Sequence, residues 1–447
     1  MQIKIKLFIL LSLALVGSLI GQQNDNSPYS RYGLGDISDN NFNHSRQMAG
    51  LGASYLDGYH INIVNPASYS FLNSTAFDVG IFAKRTWIED SQNTTRIWSG
   101  NLDYISLAFP LTNPINEVYD GVRKKYKLGM AITLMPHSTI GYNISSLDSL
   151  AGIGVFNRNY IGTGGTYKLL WGNSIKYKDF SFGVNAGYLF GKIQYEKNAV
   201  FQSSEFAYNT VLSNNYNISG FLWNAGLMYT KVLNASQMKG NRTLPTKRIS
   251  IGLHANSATG FNTSSNINDR LIQQLTPLIS NIDTINSVLD SAGRGKLPAE
   301  IGIGMTFYSG EKSAIGFNYS TVLWSQYFND AAGDVKGELK NANKISIGGF
   351  YRPNYKSFDN FFKRVYYRYG VYHHKDPIVV ANEQITSYGV TMGFGMPFVY
   401  QRKISHVNLG LNMGVRGQNT PISERFVKIS LGVTFNDDEW FLKKKYY

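Results

Sequence analysis

The chain has 447 residues, no cysteine and a formal net charge of +14. The missing thiols exclude disulfides, thiolate metal centres and a lipid-modified N-terminal cysteine. The Lys and Arg residues are scattered through turns and polar positions, without the basic helix or stacking platform of a nucleic-acid binder, so no nucleic-acid partner is expected.

Residues 1–21 read as a secretory signal: Lys4 and Lys6 precede an apolar run from Leu7 to Ile20, and Gly21 and Gln22 mark the cleavage region. Its removal leaves a charge of about +12, a balance that suits anionic lipid headgroups or acidic cargo. Beyond it no apolar run is long enough for a membrane helix, so a membrane crossing has to be made with strands. Aromatic residues form 14% of the chain, as the girdles of a transmembrane barrel require.

Residues 22–74 lack strand alternation and are punctuated by Gly, Asn and Pro. They carry Ser27-Pro28-Tyr29-Ser30-Arg31-Tyr32-Gly33, then Met48-Ala49-Gly50-Leu51-Gly52-Ala53, then Asn62-Ile63-Val64-Asn65-Pro66-Ala67-Ser68. The segment is long for a simple lead-in to a first strand, and it is predicted to fold into a barrel lumen as a hatch or plug.

From Thr75 to Phe435 the chain alternates with a period of two, which puts successive side chains on opposite faces of a strand. Ile301, Ile303, Met305 and Phe307 alternate with Glu300, Gly302 and Gly304, and Val427, Ile429, Leu431, Val433 and Phe435 alternate with Lys428, Ser430, Gly432 and Thr434. An apolar face opposed by a small and polar one reverses the order of a soluble barrel and matches lipid outside and a polar lumen inside. The reading is an all-β fold, a transmembrane antiparallel β-barrel with an N-terminal hatch in the lumen. Fourteen strands are predicted: 75–87, 100–109, 126–136, 166–177, 180–193, 217–232, 247–260, 299–308, 312–323, 343–352, 364–373, 385–396, 403–415 and 425–435. Their parity places the short connections at Lys178-Asp179, Ser309 to Glu311 and Val399 to Arg402 on one, periplasmic side. The long insertions 137–165, 194–216 and 261–298 then fall on the external side.

The insertion 261–298 spaces Leu271, Leu275, Leu278, Ile279, Ile282, Ile285 and Leu289 by three and four, which predicts a helix with an apolar stripe. That stripe either packs the loop onto the barrel rim or lines a groove for a hydrophobic ligand. Residues 436–447 read as a solvated periplasmic tail or a docking peptide for a partner.

No catalytic constellation emerges, and the chain is not read as an enzyme. His373 and His374 adjoin on a strand and point to opposite faces, which disfavours a shared metal. His254 falls on the luminal face. Ile161 to Thr166 is Gly-rich but lacks the Lys of a phosphate loop. No cofactor and no metal are expected.

Several stretches together resemble the FadL/TodX-type outer-membrane transporters of hydrophobic compounds, the long-chain fatty acid transport protein family. Asn65-Pro66-Ala67, preceded by Gly50-Leu51-Gly52-Ala53, is similar to that family's hatch signature. Leu297-Pro298 with Gly302 and Gly304, followed by Trp324-Ser325, resembles its central hairpin. Arg368-Tyr369-Gly370 with Pro377, Gly389 and Gly393-Phe394-Gly395 is similar to its later strands. The resemblance implies a 14-stranded barrel in the outer membrane of a Gram-negative bacterium, plugged by its N-terminal segment. It implies external loops that capture an apolar ligand and a hatch whose movement passes the ligand to a lateral gap in the wall. Asn65, Pro66 and Ala67 would be hatch residues, and Leu271, Leu275, Leu278, Ile279 and Ile282 would contact the ligand. The partners implied are outer-membrane lipids and a hydrophobic small molecule such as a long-chain fatty acid. The Ser27 to Gly33 prelude and the tail depart from the transporter pattern. They suggest the alternative, a non-transporting structural or adaptor barrel with envelope protein partners in an outer-membrane assembly or secretion complex.

Overall fold

The computed structural model describes residues 27–440 except 92, 113, 122–123, 151–153, 202–207, 241–244 and 277–278. The expected signal segment and the end of the tail lie outside the described residues. Ahead of the barrel are the short strand β1 (Asp36–Ile37) and helix α1 (Asn43–Arg46). The first half of the wall is β2 (Thr75–Glu89), β3 (Thr94–Pro110), β4 (Tyr126–Leu150), β5 (Gly154–Tyr177), β6 (Phe180–Phe201), β7 (Tyr208–Val232) and β8 (Lys247–Asn256). A hairpin of β9 (Gly260–Thr276) and β10 (Ile279–Lys296) follows. The second half is β11 (Glu300–Ser309), β12 (Ser313–Val322), β14 (Ala342–Tyr351), β15 (Tyr366–Val380), β16 (Glu383–Tyr400), β17 (Lys403–Arg416) and β18 (Ser423–Asp437), with a short β13 (Phe328–Asn329) between β12 and β14. Fifteen residue pairs between β18 and β2 close the sheet into an antiparallel barrel of fourteen strands.

The alternation decides which face is which. Ile301, Ile303 and Met305 are each close to half exposed on the outside, whereas Thr306, His254, Asn408 and Ser250 on the inner face are buried. The apolar set therefore faces outward along strand after strand, the arrangement that lipid favours and water does not. No helix among the described residues is long and apolar enough to cross a membrane. Each predicted strand has a counterpart, and the three short connections singled out in the sequence fall on one rim, but the two-residue turn Ala381–Asn382 between β15 and β16 falls on the other.

Three features differ from the sequence reading. The insertions 137–165 and 194–216 are largely continuations of strands, not loops: β4, β5, β6 and β7 run for 25, 24, 22 and 25 residues, against the roughly 9–11 needed to cross a bilayer. Their far halves form a sheet beyond the long-hairpin rim, extended by β9, which pairs β7 from Gly220 to Tyr208, and by β10. The segment 261–298 is therefore a hairpin, not the predicted helix. Three register irregularities in β10, at Ile279/Ser280, Thr284/Asn286 and Val288/Ser291, break its alternation and accommodate apolar residues spaced by three within a strand. The free edge of β7 overrides the helical periodicity by templating β9. Lastly, β18 extends to Asp437, so the barrel runs two residues into the expected tail.

Replacing Ile303, near the centre of β11 on the lipid face, by Lys is expected to destabilise the membrane-inserted barrel by about 2–4 kcal/mol. Refolding titrations in lipid vesicles check this, with Val335→Lys in an exposed rim connection as the neutral control.

Candidate functional site

The N-terminal segment fills the lumen. Its Pro28–Arg31 turn of 3-10 helix lies at the long-hairpin rim, and a second, Pro66–Phe71, leads into β2 at the short-turn rim. Between them nearly every residue from Asn41 to Leu56 is buried. The luminal glycines provide the room. A Cβ on Gly183 would meet the Pro66 carbonyl carbon at 2.5 Å, one on Gly252 the Ala53 carbonyl oxygen at 1.9 Å, and one on Gly348 the Met48 carbonyl oxygen at 2.4 Å. The main chain of the plug thus lies directly against the main chain of the wall, a contact that side chains would prevent.

Polar side chains complete the fit around the circumference. Asn65 is fully buried; its Nδ2 donates to the carbonyls of Ala53 at 2.6 Å, Leu253 at 3.2 Å and Leu227 at 3.3 Å, and its Oδ1 caps the following turn by accepting from Ala67 N at 3.1 Å. Tyr69 donates to Asn185 on β6, Leu56 N to Tyr308 on β11, and Ala53 N to Asn318 on β12. Arg368 on β15 donates to Gln47 at 3.0 Å, Ala49 N to Thr391 on β16 at 3.0 Å, and Asn43 to the Asn408 carbonyl on β17 at 2.7 Å. The structure brings Asn65, Pro66 and Ala67 together in one buried turn against β6, β7 and β8, at the base of the plug.

Ion pairs add a second set of links. Arg46, 5% exposed, pairs with Asp103 of β3 and donates to the Asn41 carbonyl at 2.8 Å. Lys344 of β14 lies 3.2 Å from Asp39. At the long-hairpin rim Arg416 of β17 holds Asp36 at 2.9 Å and Asp376 at 2.6 Å, and Ser27 bonds to Glu424. Tyr29 bonds to Thr420 and to the Ile422 carbonyl in the connection between β17 and β18. Beside them Tyr29, Leu34, Ile140, Phe261, Trp324 and Tyr327 share an apolar core that seals this mouth. Tyr327 donates to Asp334 at 2.8 Å, in the connection between β13 and β14, and burial pushes the Asp334 carboxyl above its usual range. The Ser27 to Gly33 prelude, which departs from the transporter pattern, is therefore part of the seal. These charged anchors were not singled out in the sequence, although Asp103, Lys344 and Lys428 at luminal strand positions among small residues are a visible signal.

A cavity of about 410 Å³ lies between the plug and the long-hairpin rim. It is charged as well as apolar: Asp36, Asp39, Asp103, Lys344, Arg416 and Lys428 are among its lining. One side of it reaches a break in the wall. β3 and β4 pair only from Ile105–Leu134 to Pro110–Gly129, six residue pairs. Beyond that point β3 continues on β2 alone, while β4 pairs through Ser138 and Thr139 with β1 of the plug. Ser99, Asn101 and Asp103 on one lip and Pro136 and Thr139 on the other border the cavity.

The hydrophobic residues predicted for ligand contact are not gathered into this cavity. Leu271 on β9 is half-buried and Ile282 on β10 is exposed in the sheet beyond the rim. Leu278 lies outside the described residues, as do the side chains of Leu275 and Ile279. His254 faces the lumen 3.4 Å from Glu300, and His374 turns inward onto Asp376 at 2.8 Å. Among the described residues no group of three or more His, Cys, Asp or Glu is arranged to hold a metal ion.

These features define a plugged, 14-stranded β-barrel of the outer-membrane type. The chain belongs to the BamG family, whose model matches residues 2–447. In fold it resembles solved channels. A Pseudomonas aeruginosa FadL homologue superposes with a TM-score of 0.57 at 11% identity, over 90% of this chain and 99% of that one. The Pseudomonas putida toluene transporter TodX gives 0.53 at 14%, over 91% and 100%. The CymD monoaromatic hydrocarbon channel gives 0.52 at 14%, over 91% and 99%. No functionally curated protein matches the sequence.

Two substitutions test how the plug is held. Gly252→Val drives a new Cβ into the Ala53 carbonyl and is expected to cost on the order of 1–3 kcal/mol, read as a lowered thermal midpoint of the purified barrel. Arg46→Leu strands Asp103 as a buried charge without its partner and is expected to cost about 3–5 kcal/mol. The Arg46→Leu/Asp103→Leu pair is expected to recover most of that loss in the same measurement.

Proposed function

We propose that the protein is a closed, plugged barrel that serves as a structural or adaptor component of an outer-membrane protein assembly in a Gram-negative bacterium. The observation that carries this reading is the polar locking of the lumen. An apolar solute moving through it would have to displace buried ion pairs and enter a cavity lined with charges, and stripping charged groups of their partners costs several kcal/mol for each. The plug is bonded to the wall on nearly every side, so opening it would break many such links together.

The sheet beyond the rim offers the docking surface. Among the described residues, no strand pairs with the outer edge of β10 from Ser280 to Ala292, the side away from β9. Ile285 and Leu289 are 59% and 76% exposed along it. A long exposed apolar edge strand is a template for a strand from another chain.

A second reading is favoured by the fold and by the break between β3 and β4: uptake of hydrophobic compounds such as long-chain fatty acids. On that reading Asn65, Pro66 and Ala67 belong to a hatch that moves. Leu271, Leu275, Leu278, Ile279 and Ile282 line the capture surface, and the ligand leaves sideways between the two lips. Burying an acyl chain on such a surface recovers roughly 0.8 kcal/mol per CH2, so capture needs little polar recognition.

Purification from native membranes in mild detergent separates the two. The adaptor reading expects a stoichiometric protein partner that is lost from Ile285→Asp/Leu289→Asp, with uptake of labelled oleate equal in cells with and without the protein. A lone barrel carrying bound lipid, together with oleate uptake that depends on it, would overturn that reading in favour of transport.

A further inference from the structure

The opposite, short-turn end of the lumen carries a cationic pocket that neither reading uses. Lys127 on β4 and Lys176 on β5 are directly opposed in the strand register, Lys127 to Lys176. Both continue the inward-facing series of their strands, which includes Gly129 and Ala131 on β4 and Gly172 and Ser174 on β5. Like charges directly opposite one another destabilise a strand pair unless something neutralises them. Arg248, on the inward face of β8, lines the same cavity of about 250 Å³. Its Nε is buried without a hydrogen-bond partner.

The acids nearby are already engaged. Asp57 lies 2.9 Å from His60 Nδ1 and accepts from Tyr59 N at 2.8 Å; Glu311 is held by Arg352 at 3.0 Å; Asp179, at the turn after β5, lies 3.6 Å from Lys231. Among the described residues none of the three cations has an ion-pair partner. Two of them rest on aromatic rings of the pocket, Lys176 Nζ 3.8 Å from the Phe71 centroid and Arg248 4.4 Å from that of Tyr308. The rings fix the heads of the two side chains and leave their remaining donors facing the cavity.

From this convergence of Lys127, Lys176 and Arg248 on one polar cavity we infer a binding site for a phosphate-type oxyanion at the short-turn mouth of the barrel. A tetrahedral anion of charge near two neutralises the opposed lysines, and the guanidinium contributes planar, directional donors to its oxygens. The cavity has room for phosphate and for a small group esterified to it. Free phosphate and the phosphate of a lipid-derived ester share this chemistry. The site does not depend on whether the barrel transports or docks.

The full chain, purified in an uncharged detergent at low ionic strength, is titrated calorimetrically with inorganic phosphate and separately with glycerol 3-phosphate. The inference expects saturable binding at one site, weakened by about tenfold or more in Lys127→Gln/Lys176→Gln. It also expects phosphate to raise the thermal midpoint of the native protein and not that of the double variant. Equal binding of the ester and the free anion identifies a site open to esters; binding of inorganic phosphate alone identifies the free ion. Should the double variant fail to fold, Arg248→Gln is expected to show the same loss of binding. Absence of saturable binding to the native protein, or binding unchanged in a folded variant, overturns the inference.

Discussion

A ring of fourteen strands can hold a second layer of main chain inside it only where the inner face has almost no side chains. That constraint explains more of this molecule than any other. The small residues at Gly183, Gly252 and Gly348 sit where the plug's own backbone passes, and polar side chains such as Asn185, Asn224 and Asn318 stand where its amides and carbonyls need partners. The outward positions in the same strands are apolar because lipid lies there. One alternation therefore encodes both the membrane and the plug.

Given that packing, the charges do a different task from the hydrogen bonds. Arg46–Asp103 and Lys344–Asp39 tie the middle of the plug to β3 and β14, while Arg416 gathers Asp36 and Asp376 at the long-hairpin rim. The more deeply buried of these pairs, Arg46–Asp103 above all, add little net stability but make displacement costly. They make the interior specific, and they leave the lumen a poor solvent for an apolar passenger. The break between β3 and β4 is a feature of the wall that points toward lateral exchange, and its β3 lip is lined by Ser99, Asn101 and Asp103.

The barrel was legible in the sequence because each wall strand faces two unlike solvents, so its two faces differ in composition. The same logic explains what was not legible. The far halves of β4 to β7 leave the membrane, lose the contrast between their faces, and read as loops. In β10 the irregularity at Thr284/Asn286 lets Ile282 and Ile285, three apart in sequence, both stand exposed, so their spacing imitates a helix. Asn65, Pro66 and Ala67 are placed in the plug by the family resemblance and by their position ahead of the first strand; the turn they form, with Asn65 as the cap and Pro66 at the first helical position, emerges from the structure. Their anchoring carbonyls on β7 and β8 are distant in sequence and carry no local signal. The like-charged opposition of Lys127 and Lys176 likewise depends on the register of two strands.

The claim on which the account depends is that the plug is seated against the inner wall and stays there while the protein works. Since the chain contains no cysteine, a single engineered pair reports on this directly. A Cβ on Gly304 of β11 would lie 3.0 Å from Ala53 Cβ in the plug, inside the roughly 3.5–4.5 Å that a disulfide spans, so a small separation of plug and wall brings the pair into bonding range. Oxidation of Ala53→Cys/Gly304→Cys in intact cells, followed by electrophoresis and growth, is the decisive measurement. The account predicts a nearly complete cross-link with cell function unchanged; absence of the cross-link, or a loss of function that reductant restores, would contradict it.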